Sequence, residues 1–432
     1  MNNKNNNSTL IFSILVALPI ALIIIFACVA MFKTGFFVNI SNNDKNISEE
    51  VIENEPEVIP EPEIIIEPEK VFRNISFAAA GDIIVHSNVY KYATQLATGT
   101  DAEFDFKPMF ANIKELISSV DIAYVNQESP SAGKDRGYSG YPMFNTPDEI
   151  ADAVLDTGFD IVNIANNHML DKGESGLKRN IDFWNAQGIT LIGGFKNKED
   201  YNTIRVVEKD GVKIALLSYT YGTNGLQLPS SSELVIPYDN FDEVSRQTKE
   251  AREIADVVIV SMHWGYEDNF KPSENQKALA KMMAENGVDV ILGMHPHVIQ
   301  PVEWLERPDG KKTLCVYSLG NLISTMMYSR NMLGGIITFD ISENEDGFSI
   351  QNVEFVPTML YYTDGYNKPT IYLYRDYTAE MQKNHGSRRN ENQKSLNYLN
   401  NILTTAIDKQ FISDDYFNPI YGIEEPVAVP AA

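Results

Sequence analysis

Cysteine is nearly missing from this chain. Its 432 residues hold two, Cys28 and Cys315. That excludes the disulfide framework of small secreted domains and leaves no thiolate cluster for a metal. Cys28 falls in an apolar N-terminal run and Cys315 in an expected strand, so no bond between them is expected. Basic residues are short relative to acidic ones, 35 against 59, for a formal net charge of −24. A surface that grips a nucleic acid backbone needs clustered Lys and Arg, so no nucleic acid partner is expected. No tandem repeat is present. Histidine is sparse as well, with six in all. The hydrophobic content of 44% is ample for a core, and the length suits one large domain or two ordinary ones with appendages.

One long hydrophobic run is present. Leu10–Phe32, "LIFSILVALPIALIIIFACVAMF", carries no charge and is long enough for a hydrocarbon core of about 30 Å. It reads as an uncleaved transmembrane anchor, with residues 1–9 as a short cytoplasmic N-terminus. A cleaved secretory signal is the competing reading. A lipoprotein signal at Cys28 is a third, although Phe26 is bulky where a small residue is usual. Lys4 precedes the run and Lys33 ends it. The orientation signal places the bulk of the chain outside the cytoplasm, as a single-pass cell-membrane protein.

Residues 33–70 read as an acidic, Pro-rich linker. Within it, 44–70 hold ten acidic residues, two basic ones and four prolines. Proline at that density prevents helix and favours extended backbone, so a solvated spacer is expected. From Val71 the texture changes. Short apolar segments end in polar residues: "FRNISFAAAGD", "VDIAYVNQE", "FDIVNIANNH", "GVKIALLSYT", "ADVVIVSMHWG", "VDVILGMHPH" and "TLCVYSLGN". Helix-like stretches lie between several of them, at 106–119, 147–155, 176–186 and 273–285. Strand–helix alternation with wholly apolar strands points to an α/β fold, in which ligands gather at the carboxyl ends of strands. "FSIQNVEFVPTMLYY" reads as further strand, antiparallel near an edge. Leu396, Leu399, Leu403 and Ala406 recur at helical spacing within 391–411. The domain is expected over 71–411 and a tail over 412–432.

The chemistry gathers at the strand ends. His86, His168, His263, His295 and His297 each follow an expected strand closely; His385 does not. Asp82, Asn126, Glu128, Asn166 and Asn167 accompany them. A strand end is a costly place to bury an imidazole or carboxylate without a partner, so a shared metal site is expected. In an extended segment residues i and i+2 point to one side, which would let His295 and His297 converge. Imidazole plus carboxylate suits Mn, Fe or Zn, whereas all-oxygen ligands would favour Mg or Ca. Asn321 in "YSLGN" is a candidate site-lining hydrogen bonder or a turn residue. Trp264 and Tyr266 follow His263 and are candidates to flank a chain-like substrate, with core packing as the alternative. Tyr141, Pro142 and Phe144 sit in a Gly-rich loop that is a candidate to shape a substrate groove, with an ordinary exposed loop as the alternative.

The run "GDIIVH", "VNQESP", "NIANNHMLDKG", "VSMHWGYE", "GMHPHVIQPVE" and "YSLGNLI" resembles, in order, the motifs of the capsule synthesis protein family CapA/PgsA, over roughly residues 75–340. That family is associated with poly-γ-glutamate capsule production and is similar to calcineurin-like metallophosphoesterases. The resemblance implies a four-layered α/β/β/α sandwich with two divalent metal ions between its sheets. It implies Asp82 and His297 on one metal, Asn167, His263 and His295 on the other, Glu128 bridging, and His168 acting on substrate. Two departures from the phosphoesterase pattern stand out. Asp82 and His86 are four apart rather than two, which leaves the role of His86 open, and the bridging residue is Glu rather than Asp. The expected function is a membrane-anchored, metal-dependent hydrolase or transferase acting on extracellular poly-γ-glutamate or a related anionic capsule or wall polymer. The alternatives are a non-catalytic partner of the membrane subunits of a capsule synthase or export complex, and a secreted-side phosphoesterase.

Overall fold

The computed structural model describes residues 72–387, 395–413 and 415. The run Leu10–Phe32, the linker and most of the expected tail lie outside the described residues. Among the described residues no helix is long and apolar enough to cross a membrane.

Among the described residues, fourteen strands form two sheets. In chain order they are β1 (Asn74–Ile83), β2 (Ile122–Gln127), β3 (Ile161–Asn163), β4 (Thr190–Ile192), β5 (Arg205–Lys209), β6 (Val212–Thr220) and β7 (Val257–His263). There follow β8 (Val290–Met294), β9 (Ile299–Glu306), β10 (Lys312–Leu319), β11 (Asn321–Ile323), β12 (Leu333–Asn344), β13 (Gly347–Thr363) and β14 (Asn367–Leu373). The first sheet has the order β14-β13-β12-β1-β2-β3-β4, with β11 also paired to β1. The second has the order β5-β6-β7-β8-β10-β9. The pairs β1–β2, β2–β3 and β3–β4 are parallel, as are β6–β7, β7–β8 and β8–β10. Their carboxyl ends therefore point one way within each sheet. The segment "FSIQNVEFVPTMLYY" falls in β13, antiparallel to β12 and β14.

The period of two along the second sheet divides its side chains between two cores. Ile214, Leu216, Val257, Ile259, Val290, Leu292, Leu314 and Val316 join the main core with the first sheet. Ala215, Leu217, Val258, Val260, Ile291, Cys315 and Tyr317 face the other way. There they meet Val244 and Ala251 of the helix Phe241–Ile254, and Leu279 and Met283 of the helix Glu274–Glu285. Helices at Lys107–Phe110, Lys114–Ser118, Ile150–Thr157 and Gly173–Asn185 add Met109, Phe110, Ile117, Val154, Leu177 and Trp184 to the main core. Each such side chain contributes roughly 1.5–3 kcal/mol by leaving water. The chain is thus mixed α/β, as its alternation predicts. Two polar bonds cross between the sheets. Tyr124 Oη and Ser261 Oγ lie 2.7 Å apart, and Ser218 Oγ donates to Asn163 Oδ1 at 2.5 Å.

The helix expected over 106–119 is broken. Helical turns at Lys107–Phe110 and Lys114–Ser118 flank a tighter turn at Ala111–Ile113. At that turn Asn112 Nδ2 donates to Ile371 O of β14, 2.8 Å away, so a tertiary bond overrides the local periodicity. The last helix spans Leu396–Ala406 and buries Leu396, Leu399, Leu403 and Ala406.

Candidate metal centre

Asp82 lies near the end of β1, flanked in register by Asn126 of β2 and Asn321 of β11. The close approach of β11 depends on Gly81, where a Cβ would stand 2.0 Å from Gly320 O. An amide relay holds the Asp82 carboxylate. Asn126 Nδ2 donates to Asp82 Oδ1 at 2.7 Å, and Asn126 Oδ1 accepts from Asn163 Nδ2 at 2.8 Å. The other oxygen, Asp82 Oδ2, accepts from His295 N and lies 3.3 Å from His297 Nδ1.

Glu128 follows β2 and is buried. Both of its carboxylate oxygens lack a hydrogen-bond partner among the described residues. Its Oε1 stands 3.7 Å from His263 Nε2 and 3.7 Å from His297 Nε2. His263 ends β7. It shares the parity of Val257 and Ile259, so its ring points toward the first sheet. Its Nε2 is 3.0 Å from Asn167 Oδ1.

His295 and His297 follow β8, but not as extended strand. Their φ angles are 97° and 57°, a conformation that L residues rarely adopt. The convergence expected from strand periodicity is thus corrected: the strand stops at Met294, and two left-handed residues aim the rings. The ring centroids of His263 and His295 are 4.8 Å apart and those of His295 and His297 are 5.7 Å apart.

Ligand-capable atoms of Glu128, His295 and His297, and separately of Asp82, Glu128 and His263, lie within 4.8 Å of one another. The fit of these residues to a cation is testable on the polar atoms left over. Besides the Glu128 oxygens, Nδ1 of His263 and Nδ1 of His295 are buried without a partner. Buried polar atoms are otherwise nearly always paired, and an unpaired buried carboxylate is costly. A divalent cation held between the Glu128 carboxylate and the imidazole nitrogens that face it would satisfy the orphaned carboxylate, so the donor set fits a metal. The electrostatics agree. Burial, reinforced by Asp82, pushes Glu128 well above the usual carboxylate range. Burial and neighbouring histidines hold His263 and His295 well below the usual imidazole value. His297 is raised to about 10: burial opposes its charge, but Glu128 and Asp82 more than offset that.

His168 stands apart from the ligand cluster. Its Nδ1 is 2.8 Å from Asp171 Oδ2, an oxygen that also accepts from Phe144 N. The Phe144 ring meets His168 edge-on at 4.7 Å. Asp171 thereby sets the ring's orientation and leaves Nε2 as the working nitrogen. Asn166 is a bracing residue: it donates to Gln127 O and accepts from His168 N. His86 belongs to neither ligand group; its Nδ1 accepts from Thr325 N at 3.2 Å, and burial lowers it to about 4. Asn321 Oδ1 lies 3.1 Å from His297 Nδ1.

Trp264 is corrected. Adjacent residues of a strand face opposite ways, so the residue after His263 points into the second core. It is fully buried there, with Nε1 donating to Tyr317 O, and it is packing rather than a substrate contact. Tyr266 is 66% exposed. Sequence reasoning passed over three residues. Asp171 stands three after His168 within "NHMLD", a spacing that could have flagged it. Asn163 closes the amide relay. Tyr221, after β6, lies 4.5 Å from His295 ring to ring, and no local signal marked it.

The fold and the cluster define a class: a mixed α/β protein whose buried Asp, Glu and His groups, at the carboxyl ends of its strands, could bind metal. The chain matches the family model of the bacterial capsule synthesis protein PGA_cap over residues 76–326 and belongs to that family. It is 28% identical over 323 residues to the capsule biosynthesis protein CapA of Bacillus anthracis, covering 72% of this chain and 74% of that one. It is 28% identical over 287 residues to the PGA biosynthesis protein CapA of Bacillus subtilis, covering 63% and 69%. Among solved structures, the calcineurin-like phosphoesterase YfkN from Bacillus subtilis overlays with a TM-score of 0.40 at 14% identity, covering 78% of this chain and 97% of that one.

Proposed function

We propose that this protein is a membrane-anchored, metal-dependent capsule biosynthesis protein acting outside the cytoplasm on poly-γ-glutamate or a related anionic polymer, by hydrolysis or transfer. The observation that carries the reading is Glu128, a buried carboxylate with no hydrogen-bond partner amid three histidines. Family membership and the uncharged run Leu10–Phe32 support it. The layering assigned is the four-layered α/β/β/α sandwich, supported by two sheets that share one core.

Asp82, Glu128, Asn167, His263, His295 and His297 would hold two divalent ions, for which Mn, Fe or Zn suit the nitrogen-rich set. Such ions would supply a hydroxide near neutral pH and stabilise charge on an attacked amide or phosphoryl centre. The chain's own residues do the rest. His168, its Nδ1–H held by Asp171, would donate from Nε2 to an oxyanion or leaving group when its ring carries both protons. The relay Asn126–Asn163 keeps Asp82 aimed at the centre. The ring of Tyr221 stands beside His295 at the centre.

The test is metal content of the purified full chain by elemental analysis, with Glu128→Ala beside it, followed by assay on poly-γ-glutamate. The expected result is about two equivalents, reduced in the variant, and polymer cleavage or transfer that follows the metal. Metal uptake without any change in polymer would move the protein to the class of non-catalytic partners of a capsule synthase. No metal uptake would sink the reading.

A further inference from the structure

A histidine can offer a metal only the nitrogen that carries no proton, and the bond made by the other nitrogen decides which one that is. Around His297 the surrounding bonds settle the choice. Asn331 O is a carbonyl and can only accept, and it lies 3.0 Å from Asn321 Nδ2. That fixes the amide of Asn321: nitrogen toward Asn331, oxygen toward His297. Asn321 Oδ1 then faces His297 Nδ1 at 3.1 Å, and Asp82 Oδ2 lies 3.3 Å from the same nitrogen. Both are acceptors, so Nδ1 carries the proton. The free nitrogen is Nε2, on the Glu128 side.

The same residues hold the strained backbone of His297. Asn331 Nδ2 donates to His297 O at 3.1 Å and to Asp268 Oδ1 at 2.8 Å. Asn321 in turn is placed by strand pairing, in register with Asp82. Ring and backbone of His297 are thereby gripped from one side.

We propose that Asn321 is a positioning residue that fixes His297 in the Nδ1–H tautomer, so that Nε2 is the nitrogen offered to the metal. The inference rests on the metal reading above. The test uses the full chain labelled with ¹⁵N-histidine and loaded with Zn²⁺; six histidines keep the spectrum assignable. Unmodified protein should show His297 with a protonated Nδ1 and a metal-bound Nε2. Since Asp82 would be drawn to the ion, Asn321→Leu removes the one acceptor at Nδ1 that is not itself a proposed metal ligand. It should lose the protected Nδ1–H signal and weaken Zn²⁺ binding by about 10–100-fold. Asn321→Asp keeps an acceptor and loses the donor to Asn331, so it should restore the tautomer and most of the affinity. That variant decides the matter if Asn321→Leu fails to fold. Binding of His297 through Nδ1, an unchanged spectrum and affinity in Asn321→Leu, or loss of the tautomer in folded Asn321→Asp would each overturn the inference. Absence of Zn²⁺ uptake by the unmodified protein would instead overturn the metal reading itself.

Discussion

At the scale of the residue, a single proton on His297 ties the site to stability. His297 holds its proton up to about pH 10 in the metal-free fold, against about 6.5 for an ordinary imidazole. Below 6.5 it is charged in the folded and unfolded chain alike, and its attraction to Glu128 and Asp82 contributes in full. Between 6.5 and 10 the unfolded chain has released the proton and the folded one has not, so stability falls as pH rises. His263 and His295 are lowered and neutral in both states above 6.5, so they leave this window to His297. Urea unfolding of metal-free protein should therefore show stability declining from pH 6.5 to 10. His297→Gln should flatten the slope, and a rising slope in the unmodified protein would contradict the assignment. His168 gives a second prediction. Its Nδ1 is committed to Asp171, outside the ligand groups, so His168→Ala should keep its metal and lose about 10²–10⁴-fold in rate. Loss of metal in that variant would make it a ligand instead. The donor types were legible in the sequence because histidine is rare and sits at strand ends. The fate of Trp264 was not, since "HWG" does not declare which neighbour faces inward until the sheet's partner is known.

At the scale of the element, strands were more legible than helices, for a physical reason. Parallel strands buried on both faces read as apolar runs, as "IAYV" of β2 does before its polar end at Asn126 and Gln127, with all six residues buried. The helix Glu274–Glu285 was equally plain, because Ser273 and Gln276 form a capping box. The segment 106–119 was not, because its break follows a bond to β14 that no local pattern contains. The turn at His295–His297 was hidden likewise, since its left-handed residues are held by Asn331 and Asp268 from distant parts of the chain. Gly81 offers the test at this scale. A methyl there would meet Gly320 O at 2.0 Å, and neither strand can yield without moving Asp82. Gly81→Ala should cost about 1–3 kcal/mol in urea unfolding and lower metal content as well. Full metal occupancy with unchanged stability would show that β11 does not set the position of Asp82.

At the scale of the whole molecule, charge and proposed substrate share a sign. The chain carries −24, a third of it within residues 44–70, and poly-γ-glutamate is a polyanion. A net charge of that size repels an anionic polymer at long range. Local attraction must then come from the proposed metal ions, which act at contact distance and are little screened. The two ranges separate by ionic strength. The Debye length falls from about 30 Å at 0.01 M to about 8 Å at 0.15 M, which shortens the repulsion without weakening the contact. Binding of poly-γ-glutamate to metal-loaded full-length protein should therefore associate faster at 0.15 M salt than at 0.01 M. Deleting residues 44–70 should reduce the difference between the two salt concentrations. Metal-free protein should bind weakly at both. A protein that captured the polymer through surface lysines and arginines would behave oppositely, with association slowing as salt rises and little change on metal removal. Stopped-flow measurement at the two salt concentrations, with and without chelator, separates these cases.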